Sequence, residues 1–182
     1  MKKYLLLAGA CLLFAAPASA ADFNPYIGFD LGGAKIKTTG KYLSGSENVF
    51  LGNLNIGAKF NDFLGMEVSA QASGDADVKD LGDLSYSSIG IDAVVYLPLC
   101  RQFELFALGG VGYYNFELEL DHKYHGWDVH YTQNETALRG GFGLQYNIND
   151  NWTVRGMARY HHIDNKYFDY IEDITVGLRY RL

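Results

Sequence analysis

The sequence predicts an all-β fold, an eight-stranded antiparallel up-and-down transmembrane β-barrel. Three observations predict it. First, apolar residues recur at every second position through eight segments, the last of which runs to the final residue. A strand has a side-chain period of two, so each segment has one greasy face and one polar face. Second, the breaks between segments run long, short, long, short, long, short, medium. An up-and-down barrel collects odd-numbered breaks at one end and even-numbered breaks at the other, and membrane barrels have short turns on one side and long loops on the other. Third, the polar faces are rich in arginine and glycine rather than lysine and glutamate. Small residues beside guanidinium chains suit a narrow lumen filled by side chains.

The first twenty residues stand outside this pattern. Met1-Lys2-Lys3 is basic, residues 4–16 are an apolar run, and Ala18-Ser19-Ala20 is a small-residue cleavage site. These are the parts of an export signal. Cleavage is predicted after Ala20, leaving residues 21–182 as the barrel domain. Residues 7–11 (LAGAC), ending on Cys11, loosely resemble a lipoprotein box, but the apolar run continues past the cysteine and the small residues come later. The full chain has 15 Lys+Arg against 21 Asp+Glu, a formal charge of −6. Without Lys2 and Lys3 the balance is 13 against 21, or −8. That charge argues against a nucleic-acid partner, which calls for a basic stripe. Cys100 would be the one cysteine left, so no intrachain disulfide is expected. Past the signal there is no apolar run of about 18 residues, so a membrane would be crossed by strands.

The strands follow in order. In the first, Ile27, Phe29 and Leu31 alternate with Gly28, Asp30 and Gly32; residues 38–49 read as a long loop. In the second, Phe50, Leu54, Ile56 and Phe60 alternate with Asn53, Asn55 and Lys59, and only residues 61–63 break the pattern. In the third, Leu64, Met66, Val68, Ala70 and Ala72 alternate with Gly65, Glu67, Ser69 and Gln71; residues 74–83 read as a second long loop. The fourth sets Ile89, Ile91, Ala93, Val95 and Leu97 against Ser88, Gly90 and Asp92, with a short break at 98–102. In the fifth, residues 103–120, the even set with Phe106, Leu108, Tyr114 and Phe116 reads as the apolar face. Its odd set, with Asn115 and Glu117, reads as the polar one. Residues 121–134 form the third long loop. The sixth sets Leu138, Phe142, Leu144 and Tyr146 against Arg139, Gly141 and Gly143, and turns at 149–151. The seventh sets Val154, Ala158 and Tyr160 against Arg155, Met157, Arg159 and His161, and residues 163–169 read as a medium loop. In the eighth, Ile174, Val176, Leu178, Tyr180 and Leu182 alternate with Thr175, Gly177, Arg179 and Arg181.

A soluble barrel of the lipocalin kind has the same period with its faces inverted. The polar set decides between them. Asp30, Lys59, Glu67, Asp92, Glu117, Arg139, Arg155, Arg159 and Arg179 mix both signs among glycines. Phe50, Phe60, Tyr114, Phe116, Tyr146, Trp152, Tyr160 and Tyr180 lie mostly near strand ends of the apolar face, where interfacial girdles belong. Ile174, Val176, Leu178, Tyr180 and Leu182 are therefore expected to face lipid, with Arg179 and Arg181 on the lumen side. A one-residue slip would put both arginines into lipid, so register is tightly specified.

By residues 141–160 (GFGLQYNINDNWTVRGMARY) the chain resembles the small outer-membrane β-barrel family of Gram-negative bacteria: the membrane domain of OmpA, OmpX and the opacity-type surface proteins. Residues 105–114 (LFALGGVGYY) are similar to that family's fifth strand, and the closing strand looks like its C-terminal assembly signal. The resemblance spans the mature chain as a pattern of degenerate motifs. It implies residence in the outer membrane among lipid and lipopolysaccharide, insertion by the assembly machinery through the last strand, and a monomer. Two positions depart from the family. Leu182 stands where Phe is usual, and Met157 where a lumenal acid is common.

Candidate chemistry is sparse. Glu67, Asp92, Arg139, Arg155 and Arg159 should face one another across the lumen as a structural charge network; the alternative is an ion or small-solute path. His122, His125, His130, His161 and His162 all read as belonging to the third loop or the end of the seventh strand, hence outside and solvated, and His122-x-x-His125 without cysteine is a weak metal signal. Residues 162–165 (HIDN) faintly resemble the His-x-Ser-Asn stretch of lipid A deacylases, but Asp164 replaces the serine nucleophile. No catalysis, cofactor or metal is expected, a lipid A-modifying enzyme being the remote alternative. Tyr42, Tyr124, Trp127, Tyr131, Tyr167 and Phe168 put aromatics among the loop charges. They suit contact with extracellular ligands or with headgroups. The function expected is structural or surface-interactive.

Overall fold

The computed structural model describes residues 23–40, 43–74, 76–78, 82–120, 130–163 and 168–182. The expected export signal and its cleavage site lie outside the described residues. The strands are β1 (Asn24–Gly40), β2 (Leu43–Lys59), β3 (Leu64–Ser73), β4 (Ala76–Val78), β5 (Gly82–Pro98), β6 (Phe103–Leu120), β7 (His130–Asn147), β8 (Trp152–Ile163) and β9 (Phe168–Arg181). β3 and the short β4 both pair with β5 and make one stave. Successive staves pair antiparallel, and β1 pairs with β9, from Tyr26 opposite Arg181 to Thr38 opposite Phe168. The result is a closed eight-stranded antiparallel up-and-down barrel, with no sheet edge left open. A closed ring pairs each backbone donor and acceptor within the sheet, which a lipid environment demands.

The short turns form for local reasons. Asn61 Oδ1 accepts from the amides of Phe63 and Leu64, both at 2.8 Å. Asn149 Oδ1 does the same for Asn151 at 2.9 Å and Trp152 at 2.8 Å. A short polar side chain thus replaces the ladder where the chain reverses. At the turn between β5 and β6 the amides of Leu99 and Cys100 share the Phe103 carbonyl.

The strands run further toward the other end than alternation indicates. Residues 38–40 and 43–49, read as loop, continue β1 and β2, and 130–134 belong to β7. A strand of 17 residues such as β1 is roughly 55 Å long at about 3.3 Å per residue, while the apolar band of a membrane barrel is only about 25 Å tall. Beyond that band the ladder continues, but nothing requires an apolar outer face, so alternation stops before pairing does.

The faces are sorted as expected on most staves. In β9, Ile174, Val176, Leu178, Tyr180 and Leu182 lie on the outer wall, and Thr175 and Arg179 are buried inside. β6 is the correction. Phe106, Leu108, Tyr114 and Phe116 are buried in the lumen, while Leu105, Val111, Tyr113 and Glu117 face out. Both faces of this stave are apolar over most of its length, so period alone cannot orient it. Glu117 misled because it lies near the loop end, where an outward charge is wetted.

Inside, apolar side chains gather in two places. Toward the loop end, Ala34, Ile36, Val49, Leu51, Tyr86, Tyr114, Phe116, Ala137, Ile163 and Ile171 form one cluster. Toward the short turns, Val94, Tyr96, Phe106, Leu108 and Met157 form another. Outside, Phe103–Tyr146, Trp152–Tyr180 and Phe23–Phe60 pair their rings at 4.9, 5.0 and 6.4 Å near the short turns. Tyr160 and Tyr170 pair at 5.2 Å on the loop side. These are the two girdles that interfacial aromatics build.

Candidate functional site

The charges of the lumen meet between the apolar clusters. β8 carries Arg155 into the middle, and its guanidinium clamps two acids from other staves. Nε and Nη2 donate to Asp30 of β1 at 2.7 and 2.6 Å. Nη1 and Nη2 donate to Glu67 of β3 at 2.9 and 3.1 Å. Planar, bidentate pairing of this kind is what a guanidinium does and an ammonium cannot. Asp30 also accepts from the amides of Asn53 and Asn55, at 2.7 and 2.9 Å. Glu67 accepts from the Tyr26 hydroxyl at 2.9 Å and from Arg179 of β9. Arg179 in turn lies over the Tyr26 ring, 4.4 Å from its centroid.

Two further groups extend the network. Arg139 of β7 forks onto Asp92 of β5 through Nε at 2.7 Å and Nη2 at 2.5 Å, and reaches Ser69 at 2.8 Å. Asp173 of β9 accepts from Arg159 Nε at 3.1 Å and from Gln71 at 3.3 Å, and lies 2.7 Å from His161 Nε2. An ionised carboxylate only accepts, so Nε2 carries a proton, and in the neutral ring Nδ1 then accepts from the Tyr114 hydroxyl, its other neighbour. Glycine makes room for the network. A Cβ on Gly90 would overlap the Arg139 guanidinium, and one on Gly177 the Asp30 carboxylate. At the short-turn mouth, Lys59 bridges Glu104 at 3.1 Å.

Four buried carboxylates, Asp30, Glu67, Asp92 and Asp173, thus face four buried guanidiniums, Arg139, Arg155, Arg159 and Arg179. With His161 neutral the set sums to zero. Every oxygen of those four carboxylates accepts a hydrogen bond. Removing one ion of such a set strands the others at a cost of about 3–5 kcal/mol.

All five of the charged residues singled out in the sequence, Glu67, Asp92, Arg139, Arg155 and Arg159, lie inside the barrel. They are not one contiguous ring but members of three groups. Sequence reasoning placed Asp30 and Arg179 on the polar face without joining them to the network. It missed Asp173, because the last strand was started at Ile174; one more step of alternation before Thr175 finds it. His161 is the second correction. It is fully buried rather than in a solvated loop, and its position two residues after Arg159 on the same face was the available signal. His162 is exposed on the outer wall. His122, His125, Asp164 and Asn165 lie outside the described residues, as do Tyr42, Tyr124, Trp127 and Tyr167. Among the described residues no group of three His, Cys, Asp or Glu could hold a metal ion.

A closed barrel with an apolar outer wall, two aromatic girdles and a charge-paired interior is a membrane-spanning β-barrel. The chain belongs to the outer membrane protein beta-barrel domain family, whose profile matches residues 5–181, and it is therefore a protein of the bacterial outer membrane. Among solved structures it is similar to neisserial surface protein A, with TM-score 0.73 and 19% identity over 87% of this chain and 97% of that one. It is also similar to Ail, the attachment invasion locus protein of Yersinia pestis, solved with the heparin analogue sucrose octasulfate (TM-score 0.61, 21% identity, 88% of this chain and 99% of that one). A third is the N-terminal β-barrel domain of Pseudomonas aeruginosa OprF (TM-score 0.54, 14% identity, 85% and 97%). At these identities the likeness is one of fold. No curated protein sequence matches the chain.

Proposed function

We propose that the protein is a non-conducting, non-catalytic scaffold of the outer membrane that holds its long loops at the cell surface for contact with extracellular ligands. One observation carries this reading: the buried charges are paired with one another across the lumen, and apolar side chains fill the space on either side of them. An ion path needs polar groups free to bind and release a passing ion. Here the carboxylates are engaged by neighbouring donors. A hydrolase needs a nucleophile that substrate can reach, whereas the Tyr114–His161–Asp173 chain is sealed from solvent.

The names of two neighbours, a surface protein and an attachment locus protein, support a surface role. The polysulfated ligand held by Ail does not transfer readily, because this chain is acidic, with 21 Asp+Glu against 15 Lys+Arg. The test is conductance. Purified protein in planar bilayers should give no large, steady current, and a steady open state would put a small channel in place of the scaffold. Release of acyl chains from lipopolysaccharide by the purified protein would make it an enzyme instead.

A further inference from the structure

We propose that Lys35 and Lys37 of β1, with Tyr170 of β9 and Tyr160 of β8 beside them, form an outward-facing site for a phosphate of the phosphorylated glycolipid in the outer leaflet. The inference rests on the outer-membrane placement and stands apart from the role given to the loops.

Height favours the site. Up the outer wall of β1 the side chains run Ile27, Phe29, Leu31, Gly33, Lys35, Lys37. Ile27 stands opposite Tyr180, which belongs to the girdle near the short turns. Lys37 is ten residues on, roughly 25 Å higher for a strand rising about 3.3 Å per residue and tilted by about 40°. That height equals the thickness of the apolar band, so the two ammonium groups reach the outer interface, where phosphates lie. Their methylene stems can lie along the last apolar turn of the wall while the charges stay wet.

The local chemistry at that height suits an anion. Lys37 stands opposite Tyr170, and its Nζ lies 5.1 Å from the centre of that ring. Tyr170 packs on Tyr160 at 5.2 Å. A phenol pair beside two ammonium groups offers hydroxyl donors and cationic charge at one level. Among the described residues no other lysine or arginine faces outward toward the loop end. On an acidic chain this makes, among the described residues, one cationic spot at the loop end that attracts a phosphate. Two carboxylates oppose a phosphate here: Glu172, exposed and opposite Lys35, and Asp169, next to Tyr170 and close to Tyr160. Among the described residues Glu172 makes no ion pair.

The glycolipid reading differs from a simple cross-strand Lys35–Glu172 pair in the sign of one result. The full chain is refolded into phosphatidylcholine vesicles containing either bis-phosphorylated lipid A or the same lipid with its phosphates removed. The melting midpoint is read from the heat-dependent gel shift. The phosphorylated lipid should raise the midpoint of the unsubstituted protein. A Lys35→Gln/Lys37→Gln variant should lose that shift while melting unchanged with the dephosphorylated lipid. Glu172→Gln should enlarge the shift by removing a repelling charge. A shift that survives in the double variant, or one that shrinks in Glu172→Gln, overturns the proposal.

Discussion

β9 and β6 are built from the same alternation yet teach opposite lessons. In β9 the inward set is Asp173, Thr175, Gly177 and Arg179 and the outward set is Ile174, Val176, Leu178 and Tyr180. Chemistry differs sharply between faces, so register and facing are both fixed. In β6 the inward set is Phe106, Leu108, Tyr114 and Phe116, and the outward set is Leu105, Val111 and Tyr113. Either set could meet lipid. What orients β6 is its neighbours. Val111 pairs with Leu138 of β7, whose flanking Arg139 must turn inward to reach Asp92. A stave whose charges lie only near its ends inherits its facing from a neighbour charged in the middle.

Substitutions can break or sharpen that contrast. The largest effect should come from the charged side. Arg155→Met strands Asp30, left with only Asn53 and Asn55, and takes one of its two cations from Glu67; it should cost about 3–5 kcal/mol of stability in urea unfolding from liposomes. Next, Leu178→Arg on β9 and Val111→Arg on β6 should each cost about 2–4 kcal/mol near the midplane, because both face lipid. Had β6 been oriented by its even set, Val111→Arg would be tolerated, so a neutral result there restores the sequence reading. Smaller again, Tyr114→Phe removes the donor to His161 and should cost about 1–3 kcal/mol as a buried acceptor loses its partner. No such loss is expected of a lipid-facing tyrosine. Smallest, Leu182→Phe should change stability by no more than about 0.5 kcal/mol, since the side chain is exposed. A faster insertion rate would show that the terminus matters to assembly rather than to the folded state.

The contrast also explains what the sequence disclosed. Ring closure and strand number followed from period and turn spacing, because lipid enforces both. The facing of seven staves followed from where arginine and glycine stood. Strand ends did not, because outside the apolar band pairing needs no pattern. The network was half visible. Arg155 and Glu67 could be assigned to the lumen, but nothing local told that Asp30 and not Asp92 would share Arg155. That choice is set by stagger around the ring. His161 was hidden by its neighbour His162, since two adjacent histidines at a strand end look like a loop while alternation sends one inward.

The pairings of Arg155 also bear on how the barrel comes to be closed. Arg155 meets Asp30 across 125 residues of chain, and Arg179 meets Glu67 across 112. Neither contact is available to a hairpin or to a half-formed sheet. They arise only when the first and last staves come together, so their energy arrives late, in one step. Loop-closure entropy grows only logarithmically with length, which makes so distant a junction affordable. The same topology gives the protein a high contact order and predicts slow folding. Arg159 and Asp173 can meet within the β8–β9 hairpin, but until the ring shuts Arg155, Arg179, Asp30 and Glu67 sit on an open sheet without these ion pairs, and a sheet bearing bare charge is a poor guest in lipid. The interior charges therefore act as a check on completion: the barrel is comfortable in the membrane only once it is whole.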